Sequence, residues 1–159
     1  MDEIRPNYSF RKYFDKECCS FRKTKEKYGS LSNMASGFPI KINEIDIYSS
    51  EALYQACRFP HLSNVQHEIL IQKSPMSAKM KGKPYRNSTR SDWEFVKVKI
   101  MQWCLRVKLA QNFIKFGMAL EETYSKFIVE DSSKDDFWGA IRQKDNKEML
   151  VGINALGRL

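Results

Sequence analysis

"SSEALYQACRFP", residues 49–60, places two serines ahead of a carboxylate. That order makes Ser50 the N-cap of a helix over about 51–59, which Pro60 helps to end. At roughly 100° per residue, Glu51, Gln55 and Arg58 fall within about 60° of one another, with Tyr54 beside them. Leu53, Ala56, Cys57 and Pro60 lie on the other side. A core-facing helix should be apolar, so the stripe is either a solvated face or the wall of a site. Helix geometry leaves both open, and a single glutamate on a helix is weak evidence for a general acid.

Upstream, FPIKINEIDIYS alternates Ile40 and Ile42 with Ile45 and Ile47 across Asn43-Glu44. This predicts a β-hairpin with a two-residue turn. A short strand is expected over 18–23. Downstream, SNVQHEILIQK (63–73) predicts a second helix with Ser63 as its cap, and SAKMKG can form one turn after Pro75. The longest helical pattern opens at Ser91, with Glu94 three residues on as a capping box. Phe95, Val98, Met101, Leu105 and Leu109 recur at helical spacing, to an end near Asn112 or Gly117. A helix over 118–125, a strand at KFIVE and the start of a last helix in GINALGRL complete the chain. The fold class is therefore mainly α with small β elements (α+β). It is expected as one domain, 18–159, behind an N-terminal extension over 1–17.

Composition narrows the function classes. The hydrophobic fraction of 42% with 13% aromatics is that of a globular chain. No apolar run approaches the roughly 18 residues of a spanning helix, and MDEIRPNYSF has no signal-peptide core. A cytoplasmic location with no membrane partner is expected. Cys18, Cys19, Cys57 and Cys104 show no zinc spacing, and His61 and His67 are the only histidines, so neither metal nor cofactor is expected. The formal net charge of +8 suggests an anionic partner: nucleic acid, nucleotide or phosphorylated metabolite. Basic residues concentrate at 11–27 and 73–90, which permits a basic rim around a pocket.

Three further clusters can carry chemistry. Lys108 shares the stripe of Met101 and Leu105. It either snorkels to water or sits desolvated, where its pKa falls and the neutral amine becomes a nucleophile. In DSSKDDFWGA (131–140), Asp135 and Asp136 precede Phe137, Trp138 and Gly139. Such a group can bind a ribose and stack a base, or be a polar turn leading to a core tryptophan. In YGSLSNM (28–34), Gly29 permits a tight turn while Ser32 and Asn33 can bond backbone or ligand. There is no GxGxxG, no GxxxxGK[ST] and no GxSxG.

Taken in order, these segments resemble the YbiA-like, or NADAR, family. Phe21, YGSLSN, PIKI, SEALYQACRF, SPMSAKMKG, SDWEFVK, MQWCLRVKLAQN, IVEDSSKDDFWG and GINALGRL carry the resemblance over roughly residues 21–159. It implies a small, mostly helical, metal-independent N-glycosidase. Its substrate class would be an ADP-ribosylated guanine or a phosphorylated riboflavin-pathway intermediate, with ADP-ribosylated nucleic acid as one form of the former. By the same resemblance Glu51, Lys108 and Asp136 are the catalytic set. Phe21, Gly29, Ser32, Asn33, Tyr54, Arg58, Trp93, Trp138, Gly139 and Asn154 are expected to contact substrate. The lysine would open the sugar as a Schiff base. Two departures stand out. The family's usual run is close to SEHYYQAQKF, so its histidine is absent here and its lysine is Arg58. Arginine stays protonated and forms no Schiff base, but makes a better fork for phosphate. A non-catalytic ADP-ribose or nucleotide module is the alternative, and non-specific nucleic-acid binding through the net charge a third.

Overall fold

The computed structural model describes residues 8–159. Residues 1–7 of the expected N-terminal extension lie outside the described residues. The chain divides into two units: the residues up to Arg22 with Thr123–Leu159, and Lys23–Glu122 between them. The α+β class holds.

The first unit is a five-stranded sheet. Its strands are β1 (Arg11–Phe14), β2 (Cys18–Phe21), β5 (Phe127–Ser132), β6 (Ala140–Arg142) and β7 (Met149–Gly152), in the order β1-β7-β6-β5-β2. β2 and β5 pair in parallel, Cys18 opposite Phe127, as do β5 and β6; β7 is antiparallel to both its neighbours. The crossover from β2 to its parallel neighbour β5 contains the whole second unit. Tyr13, Cys18, Val129, Ala140 and Leu150 form the core of the sheet. Asp131 of β5 is buried and bonded to Arg22 at 2.7 Å and to Nε of Arg142 at 2.9 Å. Arg142 also reaches Asp15 at 2.7 Å. The expected last helix is only a 3-10 turn, Leu156–Arg158.

The second unit holds the hairpin and the helices. β3 (Ile40–Ile42) and β4 (Ile45–Ile47) pair antiparallel, with buried Ile40 opposite buried Ile47. Asn43 and Glu44 both adopt positive φ, 49° and 63°, as a type I′ turn requires. α1 (Ser50–Ala56) follows, with Ser49 as its cap: its hydroxyl accepts from the Ala52 N–H at 3.2 Å. The cap thus falls one residue before Ser50, and the helix ends before Pro60. α2 (Ser63–Leu70) has Leu62 at its N-cap and no side-chain cap, so Ser63 does not play that part. α3 (Pro75–Gly82) is longer than the expected single turn, because Pro75 starts it and Ser74 caps it.

α4 (Trp93–Gln111) starts two residues after Ser91. No capping box forms: Asp92 holds the cap position while its carboxylate takes a bidentate bond from Arg90, and Glu94 pairs with Lys97. The buried face carries Trp93, Met101, Cys104 and Lys108. Phe95, expected inside, is 60% exposed, so the face is rotated from the one the Phe95 series predicts. α5 (Phe113–Glu121) begins earlier than 118 and buries Phe116. Among the described residues, no helix is long and apolar enough to cross a membrane.

Candidate active site

The polar stripe of α1 faces inward. All seven residues of the helix are buried, and Glu51 is 5% exposed. Two amides hold its carboxylate: Asn33 Nδ2 donates to Oε2 at 2.6 Å and Gln55 Nε2 to Oε1 at 2.7 Å. Gln55 comes one helical turn along, so α1 satisfies half of its own carboxylate. Asn33 comes from the loop after the 3-10 turn Gly29–Leu31, and Ser50 Oγ bonds its carbonyl at 3.2 Å. Burial pushes the Glu51 carboxyl above the usual carboxylate range. The bonds from Gln55 and Asn33 and the charges of Lys79 and Arg58 oppose that rise. Asn33 Oδ1 is buried without a hydrogen-bond partner. With Nδ2 committed to the carboxylate, that oxygen is an acceptor waiting for a donor.

Beside this centre stands an aromatic and cationic wall. The Arg58 guanidinium lies 4.3 Å from the Trp93 ring centroid, and the Trp93 ring is 5.1 Å from Tyr54. Arg58 Nε is buried with no hydrogen-bond partner. Burial lowers the pKa of Arg58, Tyr54 opposes, and neighbouring Arg86 lowers it further. Burial also pushes the Tyr54 phenol up. An arginine stacked on an indole keeps its outer edge available to an anion.

Lys108 takes the desolvated of its two options. It is fully buried and donates to the carbonyls of Ser30 at 2.9 Å and Ser32 at 3.1 Å. Its nitrogen lies 4.4 and 4.1 Å from the Phe38 and Phe116 ring centroids. Burial lowers its pKa to about 7. Ser32 turns its hydroxyl to the Met34 N–H. A Cβ on Gly29 would collide with the Lys23 and Thr24 carbonyls, so the chain passes only as glycine.

The helical unit therefore brings together Gly29, Ser32, Asn33, Glu51, Tyr54, Arg58, Trp93 and Lys108. Phe21, Asp136, Trp138, Gly139 and Asn154 belong to the sheet unit. There Phe21 is buried, and Asp136 is exposed, its carbonyl accepting from Ile153 N–H at 2.7 Å. Asp135 makes an Asx turn, accepting from the Phe137 and Trp138 N–H groups. Trp138 meets Phe137 edge to face at 5.1 Å. A Cβ on Gly139 would meet the Glu130 carbonyl. Asn154, at φ 52°, donates to Ile128 O and accepts from Glu130 N–H, extending the hydrogen bonding of β5.

Two residues outside the expected set bear on Glu51. Gln55 stood in the stripe but had no assigned role. Lys79 is the largest cationic influence on the carboxylate. Its signal was the spacing of Ala78 and Gly82, small residues that let α3 lie close: a Cβ on Gly82 would sit 4.0 Å from Gln55 Oε1. Lys79 precedes Gly82 by one turn as Glu51 precedes Gln55. Among the described residues, no group of three or more His, Cys, Asp or Glu could hold a metal ion.

Fold and site define an α+β protein with a buried, amide-held carboxylate beside an arginine–aromatic wall. The chain belongs to the NADAR domain family, whose model matches residues 20–159. It is 32% identical over 120 residues to N-glycosidase YbiA of Escherichia coli (strain K12), covering 76% of this chain and 73% of that protein. It is 30% identical over 142 residues to N-glycosidase Npun_R5314 of Nostoc punctiforme, covering 87% and 85%. The chloroplastic riboflavin biosynthesis protein PYRR of Zea mays is 29% identical over 159 residues, covering 92% of this chain but 24% of that protein. The NMR structure of E. coli YbiA superposes with a TM-score of 0.71 at 31% identity, covering 89% of this chain and 79% of that one.

Proposed function

We propose that this chain is an N-glycosidase that hydrolyses the ribose C1–nitrogen bond of a ribosylated or ADP-ribosylated base. The observation that carries this is the Glu51 carboxylate, desolvated yet bonded only by the neutral amides of Asn33 and Gln55. The names of the N-glycosidase relatives support it. As the C1–N bond breaks, its electron pair leaves with the base, which takes up a proton, and positive charge grows on the sugar ring. A carboxylate in a low-dielectric site stabilises that charge more than it would in water. Water then supplies hydroxide to C1 and releases a proton. Trp93 and Tyr54 offer a face for the base, and Arg58 an edge for phosphate.

The substrate is proposed as ADP-ribosyl-guanine, free or in a nucleic acid, or a phosphorylated riboflavin-pathway intermediate; the riboflavin-named relative favours the second class. A Schiff-base route needs an amine at C1. Lys79, whose charge bears on Glu51, is the lysine proposed for it, since the Lys108 nitrogen is enclosed. Asp136 takes its role in orienting ribose or water from the family resemblance alone, and Asp136→Asn tests it in the same assay. The assay incubates the protein with both substrates, with and without EDTA, and reads released base and sugar by mass. Release unaffected by EDTA is expected. Tight binding with no release from either substrate would replace the enzyme by a non-catalytic binding module, which the arginine at position 58 favours. Borohydride added during turnover, followed by peptide mapping, identifies any lysine that carries sugar.

A further inference from the structure

Lys108 is a lysine side chain with no exposed surface. Two carbonyls, Ser30 O and Ser32 O, take its hydrogens, and the rings of Phe38 and Phe116 flank it. A nucleophile needs an open approach along its lone pair. The carbonyls it binds belong to the 3-10 turn Gly29–Leu31 and the residue after it. The next residue is Asn33, whose Nδ2 donates to Glu51 and whose carbonyl is bonded by Ser50 Oγ. A continuous path thus runs from the α4 amine through the Ser32 carbonyl and Asn33 to the carboxylate on α1.

We propose that Lys108 is a positioning residue: by closing on the Ser30 and Ser32 carbonyls it fixes the segment that sets the Asn33 amide on the Glu51 carboxylate, and it forms no bond to the sugar. Removing the amine takes one donor from each carbonyl, Ser32 O keeping its bond from the Ala35 N–H at 3.2 Å, and the segment relieves the loss by moving. Gln55 reaches Glu51 from within α1 and does not depend on that segment. The catalytic part of this proposal rests on the glycosidase reading above; the structural part does not.

The test is a cycle of Lys108→Met, Asn33→Ala and the double variant, assayed on ADP-ribosylated guanosine and on the phosphorylated riboflavin intermediate. Lys108→Met is expected to lower kcat by about 10–100-fold, and the double variant to be within about twofold of Asn33→Ala, because residues acting through one path are not additive. Fully additive losses overturn the proposal, as does a borohydride-trapped sugar on Lys108 of the wild-type chain. Side-chain amide NMR gives a readout independent of turnover. In Lys108→Met the Asn33 amide signal should shift while that of Gln55 stays in place. Lys108→Gln, which retains one donor, serves if the methionine variant does not fold, and should shift Asn33 less. An unmoved Asn33 signal overturns the proposal. A shifted signal in a protein that releases no base from either substrate upholds the positioning and removes the glycosidase reading.

Discussion

The two units each bury an acid, and they treat it differently. Asp131, in the sheet, is 8% exposed and meets two arginines, Arg22 and Arg142, at ion-pair distance. Glu51, in the helical unit, is 5% exposed and meets only two amides at hydrogen-bond distance. Asp131 is neutralised and fastens β5 to β6 and to the chain after β2. Glu51 has its oxygens held by amides, and Lys79 and Arg58 act on its charge from beyond ion-pair distance. The first arrangement suits a structural tie. The second stores the cost of a desolvated charge until a cation forms beside it.

The contrast breaks most visibly at Glu51. Glu51→Gln should lower turnover by about 10³-fold, since it removes a charge that stabilises the transition state. The same change should raise stability. A carboxyl whose folded pKa is raised contributes stability below its unfolded pKa and loses it as pH rises through the folded value, so the gain from the amide should grow as pH rises. Asn33 can turn its unpartnered Oδ1 toward the new amide. A Tm increase of roughly 2–4 °C, for about 1 kcal/mol, is expected by thermal unfolding. A lower Tm would mean that Glu51 serves structure as Asp131 does.

At Asp131 the signs reverse. Asp131→Asn leaves Arg142 and Arg22 without their shared carboxylate, although Arg22 is half exposed and recovers some hydration. A loss of about 2 kcal/mol is expected, with kcat of the folded fraction unchanged. An unchanged Tm with lower kcat would erase the distinction between the two acids. Arg58→Lys is the milder probe of the wall beside Glu51. It keeps the charge but loses the planar fork and its stacking on Trp93, so KM should rise about tenfold with kcat nearly constant. A gain in kcat would instead show that a lysine here contributes an amine to the reaction.

How far the sequence carried depends on the range of each interaction. The hairpin was legible because alternation and the Asn43-Glu44 turn are local. The existence of α1 was legible for the same reason; its cap was off by one because either serine satisfies the rule. On α4 the Phe95 series and the Trp93–Lys108 face both repeat at helical spacing, and only tertiary packing selects the second. β1, β6 and β7 are three or four residues long, and β1 pairs with a strand some 140 residues away, so no local pattern announces them. In the site, residue types were readable and partners were not. Glu51 and Asn33 could be named, but the bond between them spans 18 positions. Lys108 could be placed on an apolar stripe, but its acceptors at Ser30 and Ser32 lie 78 and 76 positions away. Those distances hide the burial of the Lys108 amine from any local pattern.

The smallest effect separates the buried base from the two buried acids. Lys108 has a folded pKa of about 7 against an ordinary value of 10.5, with burial as the cause. Between these values the unfolded chain binds more protons than the folded one, so stability rises with pH across the window. The rise attributable to this group should be about 1 kcal/mol between pH 7 and pH 8. Denaturant unfolding of wild type and Lys108→Met at both pH values isolates it, because the other titrations are common to the two proteins. Wild type should gain relative to the variant as pH rises. Parallel pH dependence would mean that the amine stays protonated through this range, its charge held by the Ser30 and Ser32 carbonyls and the flanking rings more strongly than burial opposes it.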